Sequence, residues 1–81
     1  MKIQVKLFAI LRDRAGCDQV ALDLSRGATA QSAAQKLAKQ FPAIDELLPR
    51  VAFAINREYA RGDVVLHDGD ELALIPPVSG G

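Results

Sequence analysis

The segment DQVALDLSRGATAQSAAQKLAKQF, Asp18 to Phe41, changes its hydrophobic period part-way along. Over residues 18–24 polar and apolar side chains alternate, with Val20, Leu22 and Leu24 on one side, which is the period of two of a half-buried strand. Ser25-Arg26-Gly27 has turn chemistry, and Thr29 is a good helix N-cap. Beyond it Ala30, Ala33, Ala34, Leu37, Ala38 and Phe41 recur at helical spacing, while Gln31, Ser32, Gln35, Lys36, Lys39 and Gln40 take the wet face. Pro42 ends the helix. So alanine-rich a stripe lets a helix lie close against a sheet, and a small domain needs that stripe for its core more than for a partner helix.

The flanks extend the pattern. Upstream, KIQVKL (Lys2 to Leu7) alternates again, and residues 9–16 form a short helical turn or loop ending at Gly16. So short a connection predicts an antiparallel hairpin of the first two strands. Downstream, Ile44 to Leu48 reads as one more helical turn closed by Pro49, and residues 51–55 as a strand. Asn56-Arg57 is a tight turn, because Asn tolerates positive φ, and Glu58 to Ala60 is a short return strand. His67-Asp68-Gly69-Asp70 then turns the chain into a last strand, Glu71 to Ile75.

The order predicts an α+β domain: a single sheet with one long helix packed on one face. Ile3, Val5, Leu7, Val20, Leu22 and Leu24, with Val51, Phe53, Ile55, Leu72 and Leu74, supply the covered face. The opposite face inherits Ala52, Ala54, Ala73 and Ile75, with Phe8 beside them. Small apolar residues there make a flat patch of the kind used for protein partners, against the ordinary alternative of scattered apolar surface.

With 81 residues there is room for one domain. Such a domain buries only roughly 60% of its unfolded surface and is stable by on the order of 4–12 kcal/mol, which leaves little space for a deep active site. Ten basic residues balance ten acidic ones, so no global field draws nucleic acid or an anionic membrane. Residues 1–40 hold seven Lys/Arg and three Asp/Glu and residues 41–81 hold three and seven, which is either ordinary surface charge or a polarised surface that orients a partner. A single cysteine, Cys17, excludes an internal disulfide and fits a cytosolic chain, with a passive side chain preferred over a reactive thiol. No signal peptide and no membrane span are expected.

No internal catalytic set emerges. One histidine and one cysteine argue against metal or nucleophilic chemistry, and His67 reads as a solvated turn residue. The glycines at 16, 27, 62 and 69 are isolated, Asp68, Asp70 and Glu71 lack the calcium-hand pattern, and aromatic residues are too few to stack bases. The tail differs. After residues 1–75, the domain body, the chain gives Pro76-Pro77-Val78-Ser79-Gly80-Gly81. Two prolines fix a stiff, extended segment, and six extended residues reach roughly 20 Å. Gly80 and Gly81 have no side chains, so they can enter a channel where a Cβ would clash. A carboxylate at Gly81 is inert until activated. An ATP-dependent partner would make it an acyl-adenylate, which a sulfur nucleophile converts to a thiocarboxylate or an amine to an isopeptide.

The stretches KLFAILRD (Lys6 to Asp13), INREY (Ile55 to Tyr59) and LHDGDELALIPPVSGG (Leu66 to Gly81) resemble the small subunit of molybdopterin synthase. That family is a ubiquitin-like β-grasp sulfur carrier, and the resemblance implies that the first and last strands lie side by side and parallel. It implies that Gly81 is adenylated by a ubiquitin-activating-like adenylyltransferase and receives sulfur from a cysteine-desulfurase or rhodanese-type donor. The tail would then enter the large subunit, which holds the catalytic residues, and give sulfur to a cyclic pyranopterin precursor in a heterotetramer. By the same resemblance Phe8 and Arg12 lie at the partner interface and Ile75 to Gly81 form the inserted tail. No cofactor is bound and ATP is used by the activating enzyme. The alternatives are a carrier for thiamine or transfer-RNA thiolation, a lysine-conjugated modifier, and an interaction domain with an inert tail.

Overall fold

The computed structural model describes residues 1–77. Strand β1 (Lys2–Leu7) pairs antiparallel with β2 (Gln19–Asp23), from Lys2 opposite Asp23 to Lys6 opposite Gln19. Their connection is a short helix, α1 (Ala9–Ala15), that stops at Gly16, where φ is 78° and the amide donates to the Arg12 carbonyl. A residue with a Cβ would be strained there, so glycine is the natural stop.

The last strand, β5 (Glu71–Ile75), lies in the middle of the sheet, whose order is β2-β1-β5-β3-β4. It runs parallel to β1, with Val5 opposite Leu72 and Leu7 opposite Leu74. On its other side it is antiparallel to β3 (Ala52–Ile55), which turns back as β4 (Glu58–Ala60). The parallel pairing of first and last strands, expected from the resemblance, is therefore present, and the architecture is a mixed five-stranded β-grasp.

Helix α2 (Ala30–Gln40) crosses one face. Thr29 caps it through a reciprocal pair: the Ser32 amide donates to Thr29 Oγ1 at 3.2 Å, and the Thr29 amide donates to Ser32 Oγ at 2.7 Å. Ala30, Ala33, Ala34, Leu37 and Ala38 are buried against Ile3, Val5, Leu7, Leu22, Leu72 and Leu74.

Several expectations need correction. The turn placed at 44–48 is a 3₁₀ helix over Pro42–Arg50 that runs through Pro49. Proline in the last turn forfeits a single backbone bond there, which a helix end tolerates. Val51, Phe53 and Ile55 pack against the core as expected, but are only partly buried. Leu11, Ile44 and Leu66, absent from the expected set, are fully buried from the connections between strands. Leu66 is held by its amide bond to the Ala28 carbonyl at 2.8 Å.

The turn before β5 ties distant parts together. Asp68 Oδ1 accepts from the Lys2 amide at 2.7 Å. Asp70 accepts from the His67 amide at 2.8 Å and from Asn56 Nδ2 at 2.9 Å, while Asn56 Oδ1 accepts from the Glu71 amide at 3.0 Å. The His67 amide, and then the Asn56 side chain, hold the Asp70 carboxyl below its ordinary range. A depressed carboxylate stabilises the fold at pH values above its unfolded pKa and loses that stabilisation as the pH falls through its folded pKa.

Two outcomes follow. Asp70→Ala should lower the urea-unfolding free energy at neutral pH by about 1–3 kcal/mol, with the gap to the parent closing below about pH 4. Leu11→Ala should cost about 2–5 kcal/mol, whereas Ile10→Ala, at a position 44% exposed, should stay within about 0.5 kcal/mol.

Candidate functional site

The site forms where the two central strands end. Leu74 is the last β5 residue paired on both sides, with Leu7 and with Phe53. Ile75 pairs only with Ala52, and Pro76 has no amide hydrogen to continue either ladder. On the β1 side, Phe8 is still extended (φ −123°, ψ 152°), but Ala9 has φ 51°. A left-handed residue with a Cβ costs roughly 1–2 kcal/mol. That bend takes α1 abruptly out of the sheet and leaves Phe8, 44% exposed, beside the root of the tail.

Phe8, Ala9, Ile75, Pro76 and Pro77 line an apolar cavity of 410 Å³. Phe8 and Ile75 also line a second groove on the open face, floored by Ala54 and Ala73 and walled by Tyr59. The two are thus one surface running from Tyr59 to Pro77. The expected patch of small residues is present, but it is not flat. Ala54 is only 6% exposed, shielded by larger neighbours, and Tyr59 stands 80% exposed. Register explains this, since Ala54 lies opposite both Ala73 and Tyr59 and all three share one face.

Charge crosses the groove. Lys6 Nζ lies 2.9 Å from Glu71 Oε1, and Arg57 Nε lies 4.0 Å from Glu71 Oε2. The Lys6 hydrogen bond is the main cause that holds the Glu71 carboxyl below its usual range. Arg57 follows Asn56 in a two-residue hairpin turn in which both have positive φ, 52° and 71°.

Phe8, Ile75, Pro76 and Pro77 are therefore brought together. Arg12 lines neither depression; its exposed side chain lies on α1 with Nε 3.7 Å from Asp13. Val78, Ser79, Gly80 and Gly81 lie outside the described residues. Lys6, Ala9, Arg57 and Tyr59 were not singled out as site residues from the sequence. The Asn56-Arg57 turn was the available signal for Tyr59, because a two-residue loop fixes Ala54 opposite Tyr59. Cys17 packs half-buried against the core, and His67 is exposed. Among the described residues, no three His, Cys, Asp or Glu side chains gather as a metal site, and no helix is long and apolar enough to cross a membrane. What this face offers is an open groove that meets the Pro76-Pro77 root of the tail.

Comparison with known proteins agrees with this geometry. The chain is 37% identical over 81 residues to the molybdopterin synthase sulfur carrier subunit of Arabidopsis thaliana, covering 100% of this chain and 84% of the relative. It is 39% identical to that of Chlamydomonas reinhardtii, covering 100% of both. The crystal structure of the small archaeal modifier protein 1 of Haloferax volcanii superposes with a TM-score of 0.89 at 34% identity, covering 100% of each chain. The ThiS family model matches residues 5–81, and the chain belongs to the ThiS family.

Proposed function

We propose that the chain is the sulfur carrier subunit of a molybdopterin synthase, with no catalytic residues of its own. The observation that carries this reading is the continuous apolar surface that ends at Pro76-Pro77, immediately ahead of Val78-Ser79-Gly80-Gly81. Its likeness to the named carrier subunits supports it.

Residues 1–75 act as the body and 76–81 as the arm. A ubiquitin-activating-like enzyme binds the body, and the Gly81 carboxylate attacks the α-phosphorus of ATP, releasing pyrophosphate. The persulfide of a cysteine-desulfurase or rhodanese-type donor then attacks the acyl carbon and displaces AMP, and a thiol cleaves the resulting acyl disulfide, releasing the Gly81 thiocarboxylate and leaving the donor cysteine in a disulfide with that thiol. Glycine at this position leaves the acyl carbon unhindered. Phe8 and Ile75 seat the body on the large subunit, Arg12 meets its rim, and the arm delivers sulfur to a pyranopterin precursor held there. The large subunit supplies the acid–base groups.

The arm benefits from stiffness. Prolines lose little conformational freedom on entering a channel, so less of the binding free energy is spent on ordering.

Incubation of the purified chain with ATP, activating enzyme and sulfur donor should produce a sulfur-for-oxygen mass increase confined to the C-terminal peptide. A chain lacking Gly81 should bind the large subunit yet gain no sulfur and support no molybdopterin formation. Charging or product formation by the truncated chain would refute the carrier role. A second reading, a lysine-conjugated modifier, is favoured by the likeness to the small archaeal modifier protein. Recovery of Gly81–lysine isopeptides without any thiocarboxylate would select it.

A further inference from the structure

We propose that Arg57 is a recognition residue, whose guanidinium pairs with a carboxylate on the large-subunit surface that seats on the open sheet face. The inference rests on the carrier reading and names what its docking surface selects.

The backbone at Arg57 is the first observation. Its φ of 71° falls in the second position of a turn in which both central residues are left-handed. Glycine is the favoured residue there, because a Cβ is strained in that region. An arginine kept at such a position stands out against the rest of the hairpin, whose register the turn sets without help from a long side chain.

The side chain is the second. It is 87% exposed, lines the groove with Tyr59 and Ala54, and donates no hydrogen bond among the described residues. Its one ionic neighbour among the described residues, Glu71, is already paired with Lys6 at 2.9 Å, while Arg57 Nε stands off at 4.0 Å. Two cations thus share a single carboxylate, and the guanidinium fork is left open.

Continuity completes the case. The groove that holds Arg57 shares Phe8 and Ile75 with the cavity at the tail root. A protein that accepts the tail covers this groove and removes water from the guanidinium. Once covered, a guanidinium whose long contact to Glu71 is shared with Lys6 is costly to desolvate unless the complementary surface places an acid against it. An arginine fork also selects a carboxylate more sharply than a point charge does.

The test compares Arg57→Gly, Arg57→Lys and Arg57→Glu in the full chain, binding each to the purified cognate large subunit over a range of salt concentrations. Arg57→Gly should melt no lower than the parent, since glycine suits the turn, yet bind about tenfold more weakly and with a shallower salt dependence. Arg57→Lys should recover part of the affinity, and Arg57→Glu should bind worst. Arg57→Gly or Arg57→Glu binding within about twofold of the parent, or a lower melting temperature for Arg57→Gly with unchanged affinity, overturns the proposal and makes Arg57 a turn residue only. If the parent chain itself fails to bind the large subunit, the carrier reading fails and this inference falls with it.

Discussion

The position of β5 between β1 and β3 is the constraint on which the remaining structure depends. A strand paired on both sides, with Leu72 and Leu74 wholly excluded from water, cannot shift register without expelling its apolar set to the open face. That placement brings β5 to the centre of the sheet, so the tail root at Pro76 emerges beside Phe8. Helix α2 then covers the resulting sheet, and its alanines allow the backbone to approach closely.

The open face owes its character to how strands end. The two central strands run together until Leu7 and Leu74 and then part. The left-handed Ala9 carries one away, and Pro76-Pro77 denies the other any further ladder bonds. Between the diverging ends an apolar cavity opens, and the alternation of the sheet extends it through Ala73 and Ala54 to Tyr59. A domain too small to enclose a pocket can still present such a surface, because it needs no core volume. The same economy explains why charge is placed across the groove on Lys6, Glu71 and Arg57 while, among the described residues, no charged side chain is buried in the core.

Elements with a clear period were legible in the sequence. The alternation at 2–7 and 18–24, the Thr29 cap and the Asn56-Arg57 turn all correspond to observed elements, as does the run 71–75. What escaped lay where no period operates. Leu11, Ile44 and Leu66 belong to connections whose apolar residues look incidental until the fold turns them inward. Alternation gave the side on which Phe53 and Ile55 lie, but not that their burial is only partial. That Phe8 lies beside Ile75 was expected from the sequence, whereas Tyr59 and Arg57 come to the groove only through hairpin register.

Local chemistry in the chain was enough to determine the order of the elements, the faces of β1, β2 and β5, and the helix cap. Each rests on interactions within a few residues, whose stereochemistry is the same in any fold. Tertiary structure alone decided that β5 pairs parallel to β1, that Tyr59 joins Ala54, Ala73 and Ile75 on the open face, and that Arg57 is left over beside a Glu71 already paired with Lys6. These depend on which strand ends lie side by side, and a strand's alternation specifies its faces without naming its neighbour.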